Sequence, residues 1–151
     1  MTGSRIERHA KNAGQPLNPY TLKMKPLQRI LHVEDDISIQ EVTKLALEVV
    51  GGLEITSCDD GQAAIARAHE WQPDLVLLDV MMPGIDGPTT LAKLREQPST
   101  QSIPVVFMTA KVQPSEIEHY LSIGALDVLI KPFDPMTLAE QLRKIWEHSH
   151  D

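Results

Sequence analysis

The chain has 151 residues, enough for one domain with a substantial core, and 42% of them are hydrophobic against only 4% aromatic. Its formal net charge of −7 is unevenly distributed. Residues 1–26 carry five basic residues and one acidic residue (+4), so the remaining residues carry nine basic and twenty acidic ones (−11). An acidic body disfavours direct binding of nucleic acid, because phosphate backbones are bound by basic surfaces. The single cysteine, Cys58, excludes an internal disulfide.

No membrane or secretion segment is predicted. The chain has no apolar run near ~18 residues, and its N-terminus lacks the apolar core of a signal peptide, so we expect a cytoplasmic protein. Residues 1–26 are polar and interrupted by prolines, which predicts a disordered arm or leader segment. We favour a segment with no role of its own over a basic docking tail. One domain is expected over residues 27–148, then a short tail over 149–151, with no room for an output domain.

In chain order, the first predicted strand covers residues 29–33 and ends in an acidic run. An amphipathic helix follows, and its core-facing side is expected to consist of Ile39, Val42, Ala46 and Val49. Ser38 and Glu41 have the spacing of a capping box at its start, while Asp36 either faces solvent or caps the helix itself. Gly51 and Gly52 are expected to end this helix.

Four further strand and helix pairs follow along the chain. Short runs of β-branched and apolar residues predict the strands, at residues 53–58, 75–79, 103–109 and 127–131. The helices between and after them are predicted at residues 62–71, 88–97, 114–124 and 135–147. Pro88 and Pro114 suit the first turn of their helices. For the last helix, Asp134 is the expected N-cap and Pro135 the first helical residue.

Strands that alternate regularly with helices indicate a parallel sheet covered by helices on both faces. Right-handed crossovers leave few topologies for such a chain. We therefore predict a doubly wound, flavodoxin-like α/β fold with five helices and the strand order 2-1-3-4-5. The sequence shows no internal repeat and no second domain.

The carboxyl ends of four predicted strands carry polar side chains. They are Glu34 and Asp35 after strand 1, Asp79 on strand 3, Thr109 on strand 4 and Lys131 on strand 5. In the predicted order these ends lie along one edge of the sheet, where open α/β sheets place their binding sites. We therefore expect these side chains, distant in sequence, to converge.

The converging carboxylates indicate a cation site. Two carboxylates ~4 Å apart repel by about 4 kcal/mol at an effective dielectric near 20, so they must take up a proton or share a cation. Hard oxygen ligands that leave positions for water and phosphate describe a Mg²⁺ site. Asp35 and Asp79 are the predicted side-chain ligands, Glu34 is expected to act through a water molecule, and the backbone carbonyl of Met81 could supply a further oxygen.

This arrangement predicts phosphoryl transfer to an aspartate. With a cation neutralising the incoming phosphoryl group, Asp79 can attack it and form an aspartyl phosphate. Lys131 and the hydroxyl of Thr109 would each contact a phosphoryl oxygen. Ala110 is small enough to leave the entrance open.

Four motifs resemble the receiver domain of two-component response regulators: VEDD (33–36), LLDVMMPGIDG (77–87), MTA (108–110) and KPF (131–133). The resemblance covers about residues 28–148. It implies that Asp79 receives a phosphoryl group from a histidine of a sensor kinase or of a histidine phosphotransfer protein. It also implies a cis peptide between Lys131 and Pro132. We expect a stand-alone switch that binds a protein target not identified by the sequence, and the acidic composition and the lack of a long apolar run predict no nucleic-acid or membrane partner.

One position departs from the family pattern. Three residues before the lysine, where the family usually has an aromatic residue that moves inward with the threonine on phosphorylation, this chain has Val128. We therefore expect a smaller or differently routed change on phosphorylation. Large spectral shifts around residues 110–130 on binding beryllofluoride would refute this expectation.

Two other functions remain alternatives. A Mg²⁺-dependent phosphatase that forms an aspartyl phosphate would need a second acid two residues after the nucleophile, where this chain has Met81. An interaction module that is no longer phosphorylated is supported only by Val128. We predict a phosphoryl acceptor that loses its phosphate slowly rather than an enzyme. His32, which lies within a strand, is expected to be a packed histidine rather than a phosphoryl carrier.

Overall fold

A five-stranded parallel sheet with the strand order β2-β1-β3-β4-β5 forms the centre of the molecule. The structure, a computed structural model, describes residues 25–110 and 113–149. The strands are β1 (Arg29–Val33), β2 (Glu54–Cys58), β3 (Leu75–Asp79), β4 (Val105–Thr109) and β5 (Asp127–Ile130). The helices are α1 (Ile37–Lys44, continued by a π-helical part, Leu45–Val50), α2 (Gly61–Trp71), α3 (Gly87–Glu96), α4 (Pro114–Ser122) and α5 (Leu138–His148). The predicted flavodoxin-like fold and strand order are confirmed.

The register of the sheet aligns the carboxyl ends of its strands. Val33 of β1 pairs with Leu78 of β3, so the residues after β1 lie beside Asp79. On the other side, Asp79 pairs with Met108 of β4. All five residues of β3 are buried, because helices cover both faces of the sheet. The central strand β3 therefore places the carboxylate of its last residue, Asp79, at a partly enclosed edge of the sheet.

The core consists of two apolar layers, one on each face of the sheet. Helices α2, α3 and α4 cover the first layer, whose larger members include Leu78, Leu91, Leu94, Phe107 and Tyr120. Helices α1 and α5 cover the second layer, which includes Leu47, Leu77, Met108, Leu142 and Trp146. None of the helices in the described part of the chain combines the length and apolar character that a membrane crossing requires.

The buried face of α1 is rotated by one residue from the predicted face. The sequence predicts that Val42 and Val49 point inward together with Ala46. Ala46 is buried, but Val42 and Val49 are exposed. Thr43 and Leu47, which directly follow Val42 and Ala46 in the sequence, are also buried. The prediction is wrong because a polar threonine occupies a core position, so the apolar pattern of its neighbours indicated the wrong phase.

The end of α1 has a wider hydrogen-bond pattern than an α-helix. The N–H of Gly51 donates to the carbonyl of Ala46, five residues earlier, at 3.1 Å. Gly52 follows in the left-handed region, with φ +70°, where glycine carries little steric cost. The predicted end of the helix at the two glycines is confirmed.

Aspartate carboxylates accept backbone N–H groups at the start of α1 and in the turn before α5. Asp36 caps α1, because its carboxylate accepts the N–H of Ser38 at 2.8 Å; the predicted capping box from Ser38 is wrong. Helix α5 begins at Leu138 rather than at Pro135, with Thr137 as its N-cap. The carboxylate of Asp134 accepts the N–H of Met136, two residues on, at 2.9 Å. Asp134 thus stabilises a turn before the helix instead of its first turn.

A buried aspartate holds the start of the described chain. The carboxylate of Asp74 accepts the N–H groups of Gln28 at 3.0 Å and Arg29 at 2.9 Å, and it forms an ion pair with Lys25 at 2.8 Å. The carbonyl of Lys25 accepts the indole N–H of Trp146 at 2.9 Å. The predicted disordered arm covers residues 1–26; residues 1–24 of it lie outside the described residues, while Lys25 is held by these contacts.

Candidate functional site

The ends of β1 and β3 bring three carboxylates together. Glu34, Asp35 and Asp79 each place a carboxylate oxygen within 4.8 Å of the others, as the sequence predicts. Glu34 and Asp79 are buried, and Asp35 is exposed. Buried carboxylates this close together need positive charge between or beside them.

Lys131 supplies positive charge to this cluster. Its ammonium lies 2.8 Å from Oε1 of Glu34 and 3.1 Å from Oδ1 of Asp79. The backbone N–H of Lys131 donates to the carbonyl of Thr109 at 2.8 Å, which ties the end of β5 to the end of β4. The Lys131–Pro132 peptide is cis, as the resemblance implies. The lysine therefore points into the site and not into solvent.

The cluster keeps an excess of negative charge despite the lysine. Burial, the largest effect, raises the pKa of the Glu34 carboxyl, and the hydrogen bond from Lys131 offsets it only in part. Burial acts to lower the pKa of the Lys131 ammonium, but the hydrogen bond to Glu34 and the charge of Asp79 outweigh it, so this pKa is raised. The raised pKa of Lys131, which comes from Glu34 and Asp79, shows a local negative field that also attracts other cations.

This combination of fold and site matches a known family. The sequence profile described as the response regulator receiver domain matches residues 30–143 of the chain. The chain belongs to the response regulator receiver family. The resemblance that the four sequence motifs indicate is thereby confirmed.

Curated proteins and solved structures agree with this assignment. The receiver domain is 35% identical over 116 residues to the transcriptional regulatory protein CseB of Streptomyces coelicolor, an alignment that covers 77% of this chain and 48% of CseB. It is 40% identical over 120 residues to the response regulator PleD of Caulobacter vibrioides, covering 78% of this chain and 26% of PleD. The chain thus spans about half the length, or less, of these curated relatives.

Among solved structures, the receiver domain resembles the chemotaxis response regulator CheY4 of Vibrio cholerae with a TM-score of 0.73 and 29% identity, covering 79% of this chain and 98% of that one. It resembles the Francisella response regulator 1452 receiver domain with a TM-score of 0.72 and 27% identity, covering 83% and 99%. Each solved chain is covered almost completely, so the match extends over a whole receiver fold and not over a fragment of it.

The donor set of this receiver domain fits a hard divalent cation. Three carboxylates converge, two of them are buried, and one ammonium does not neutralise them. Oxygen donors with an open, solvent-facing side are the arrangement that Mg²⁺ prefers in proteins. Which oxygens would bind the ion directly stays a prediction: Asp35, Asp79 and the carbonyl of Met81, with Glu34 through water.

Three further predicted site residues lie at the ends of β3 and β4 or just after them. Thr109 is buried at the end of β4, beside the strand that leads to Lys131. The Met81 side chain is 63% exposed in the loop after β3, and Ala110 is exposed. Their proposed roles, a hydroxyl contact, a backbone ligand and an open entrance, stay predictions.

Several residues that support the site were not singled out from the sequence. The N–H of Asp36 donates to Oε2 of Glu34 at 3.2 Å. The amide of Gln40 on α1 donates to the carbonyl of Glu34 and, at 2.8 Å, to Asp59 after β2. Gln40 carries no signal in the sequence, because its partners become neighbours only in the folded sheet.

The turn from β3 into α3 is closely packed against the end of β3. A Cβ on Gly87 would lie 2.7 Å from the carbonyl oxygen of Asp79 and 2.9 Å from Cα of Val80. Asp86 caps α3 by accepting the N–H of Thr89 at 2.9 Å. The sequence indicates a turn at Asp86 and Gly87, but not that the glycine allows the helix to approach Asp79.

His32 is a packed histidine, as predicted. It is buried within β1, and neither ring nitrogen has a hydrogen-bond partner among the described residues. Burial, with a contribution from the charge of Lys131, lowers the pKa of His32 to about 4. The imidazole is therefore neutral at neutral pH and adds no charge to the site.

Val128 occupies the position at which the family usually has an aromatic residue. Val128 on β5 is half-buried and packs against the first core layer. Its neighbour in register, Phe107, forms an edge-to-face contact with Tyr120 of α4, with ring centroids 5.3 Å apart. Both rings are buried. The aromatic contact between the sheet and α4 is thus made by β4 and α4, and β5 contributes an aliphatic side chain.

Proposed function

We propose that this receiver domain is a phosphorylation switch in which Asp79 accepts a phosphoryl group from a histidine of a sensor kinase or of a histidine phosphotransfer protein. One observation carries the proposal: Glu34, Asp35, Asp79 and Lys131, from three separate strand ends, meet at one edge of the sheet. Membership of the receiver family supports the same role. A buried strand-end aspartate with a purely structural role would not need the other three groups.

The transfer step follows from the chemistry of the groups. An oxygen of the Asp79 carboxylate attacks phosphorus, the new P–O bond forms, and the P–N bond to the donor imidazole breaks with its electron pair leaving on nitrogen. Lys131, already in contact with Asp79, is placed to bind a phosphoryl oxygen as charge develops there. Thr109 would donate its hydroxyl to a second phosphoryl oxygen.

A Mg²⁺ ion would be held by Asp35, Asp79 and the carbonyl of Met81, with Glu34 acting through a water molecule. When bound, it supplies positive charge that lowers the repulsion between the Asp79 carboxylate and the anionic phosphoryl group. Glu34 also holds Lys131, since their side chains are 2.8 Å apart. The protein groups thus orient the nucleophile and the lysine before a donor arrives.

The output of the switch is proposed to be a change in protein binding. An aspartyl phosphate adds about one negative charge at the site, and this can bias a surface only through contacts that differ between two states. The acidic body argues against nucleic acid as a direct ligand of this domain. We therefore propose that the domain acts as a switch on a protein target, with slow loss of the phosphate.

Labelling with acetyl phosphate tests this function. Intact-mass measurement should show one added phosphoryl group on the wild type in the presence of Mg²⁺, and none when the ion is chelated. Asp79→Asn should remove the label. Asp60→Asn is the matched control, because Asp60 follows β2 at the same edge of the sheet, lies outside the carboxylate cluster, and can be replaced by asparagine as the N-cap of α2. Labelling that persists in Asp79→Asn would refute the proposal.

The same samples distinguish the switch from the phosphatase alternative. With small phosphate esters, a switch should be labelled once and slowly, whereas a phosphatase should release phosphate in many turnovers. The exposed Met81 stands where such enzymes need a second acid. Sustained release of phosphate that Asp79→Asn abolishes would favour the enzyme.

A further inference from the structure

Helix α1 carries an apolar stripe on its outer side in addition to its buried face. Val42, Leu45 and Val49 are 42%, 58% and 75% exposed. Their spacing of three and four residues places them next to one another on the helix surface. Single exposed apolar residues are ordinary, but a row at helical spacing is typical of a surface that another segment covers. We call these three residues the α1 stripe.

The surroundings of the α1 stripe form a shallow groove with charged edges. Glu41, Lys44 and Glu48 line this groove together with Leu45 and Val49. Two acidic side chains and one basic side chain give the groove a net negative charge. An occupant with apolar side chains and positive charge would therefore match both its centre and its rim.

We propose that residues 1–24 of the same chain dock on the α1 stripe. The described chain begins on the correct side of the sheet: Lys25 is bonded to Trp146 of α5, and Leu27 lies in the apolar layer that α1 covers. Twenty-four residues can span up to ~80 Å when extended. Helix α1 is only about 21 Å long at 1.5 Å per residue, so the segment reaches the whole stripe.

Charge favours this segment over a second copy of the chain. Residues 1–24 carry four basic residues and one acidic residue (+3) and the rest of the chain ten basic and twenty acidic ones (−10), so the segment and the body attract each other. Two bodies facing each other through α1 would bring like charges together. The segment also contains apolar side chains between its basic ones: Ile6, Leu17, Tyr20, Leu22 and Met24.

Paramagnetic broadening in the full chain tests the docking. A nitroxide on Asn12→Cys would broaden amide signals that lie near it in space. Selective labelling is feasible because Cys58 is buried and burial raises the pKa of its thiol. Signals of residues 41–50 should lose intensity and recover when the nitroxide is reduced. In 1 M salt, where the screening length is ~3 Å, the loss should become smaller.

Two double variants make the result specific. Leu45→Lys with Val49→Lys should abolish the broadening, because the variant removes the apolar contacts and repels the basic segment. Leu121→Lys with Met136→Lys, which adds the same charge at two exposed apolar residues elsewhere, should preserve it. Circular dichroism checks that both variants are folded. Unchanged broadening in the stripe variant, or no broadening at residues 41–50 in the wild type, would overturn the proposal. So would broadening that arises only between a nitroxide-bearing chain and a separate isotope-labelled chain, which would identify a second copy as the occupant.

Discussion

Lys131 is the one ammonium that contacts the carboxylate cluster among the described residues, and its contacts with Glu34 and Asp79 give it two opposed effects. It repels a divalent cation, and it attracts a phosphoryl oxygen. Lys131→Gln should therefore bind Mg²⁺ at least about tenfold more tightly. Removing one positive charge ~4 Å away is worth, per unit of ion charge, about 1 kcal/mol at the dielectric of water and about 4 kcal/mol at a dielectric near 20. Calorimetric titration with Mg²⁺ measures this affinity.

The same variant should accept the phosphoryl group more slowly. Loss of a donor aimed at developing charge costs about a hundredfold in rate, so labelling of Asp79 by acetyl phosphate should slow by a similar factor at saturating Mg²⁺. Lys93→Gln, an exposed lysine on α3, is the control and should leave both quantities unchanged. Unaltered Mg²⁺ affinity in Lys131→Gln would show that the lysine and the ion do not share the pocket.

Asp74 provides a residue-scale test of stability. Burial acts to raise the pKa of its carboxyl, but the ion pair with Lys25 and the N–H groups of Arg29 and Gln28 outweigh this effect, so the pKa is lowered. A lowered pKa stabilises the fold above the unfolded-state pKa of ~3.9, and the contribution is lost as pH falls towards the folded-state value. Asp74→Asn should therefore lower the free energy of unfolding by about 1–3 kcal/mol near neutral pH.

Urea unfolding at several pH values checks this prediction. The difference between the wild type and Asp74→Asn should stay constant from pH ~7 to pH ~5 and shrink below pH ~4. Glu96→Gln, at an exposed position at the end of α3, should show little difference at any pH. A difference that grows as pH falls would show that the sign of the pKa shift is wrong.

At the residue scale, the sequence indicates the groups that we propose to react but not those that support them. Asp79 and Lys131 were predictable because each follows a strand, and strand ends in this fold share one edge. Asp74 was not, because its partners are backbone N–H groups about 45 residues earlier. Gln40 was missed for the same reason: nothing local in the sequence specifies its bond to Asp59.

At the element scale, the contact between α3 and β3 depends on Gly87. Gly87→Ala would place a methyl group 2.7 Å from the Asp79 carbonyl, which is backbone and cannot give way as a side chain can. We expect a loss of about 1–3 kcal/mol in unfolding free energy, as for overpacked cores. We also expect slower labelling, because the strand end that carries Asp79 must shift.

Gly52→Ala separates the loss of stability from the slower labelling of Asp79. Its φ of +70° makes alanine unfavourable by about 1–2 kcal/mol, but no atom lies within 4 Å of the new Cβ. Both variants should therefore unfold at lower urea concentration, and only Gly87→Ala should change the rate at which Asp79 is labelled. Equal labelling rates in the two variants would contradict a role for close packing at the site.

The predicted strands agree with the structure more closely than the predicted helices do. The five strands begin and end within two residues of their predicted bounds, because short apolar runs between turns have few alternatives. Helix α1 was given the wrong buried face, because Thr43 supplies the core contact that an apolar residue was expected to supply. Helix α5 begins three residues late, because Asp134 bonds to a neighbouring N–H group before the helix starts.

At the scale of the whole molecule, topology was predictable from the alternation of elements together with the preference for right-handed crossovers. The conformational change on phosphorylation does not follow from the topology. Val128 stands where the family usually has an aromatic residue, and Phe107 and Tyr120 form a buried aromatic pair nearby. We expect that pair to stay in place, because moving either ring would expose apolar surface.

Spectra of the apo and beryllofluoride-bound protein test this expectation. Amide shifts should be large around Glu34, Asp79 and Lys131 and small over residues 113–130. Val128→Tyr is the informative comparison, because it places an aromatic side chain at that position. We expect it to enlarge the amide shifts over residues 113–130. Large shifts over residues 113–130 in the wild type would show that the conformational change does not need an aromatic residue on β5.

The central claim is that strand ends distant in sequence form one site for a divalent ion and a phosphoryl group. A crystal structure of the complex with Mg²⁺ and beryllofluoride tests it most directly. We predict beryllium bonded to the Asp79 carboxylate, with Lys131 and Thr109 in contact with its fluorines and the ion between Asp35 and Asp79. Beryllofluoride bound to another residue, or an ion bound away from these carboxylates, would contradict the account.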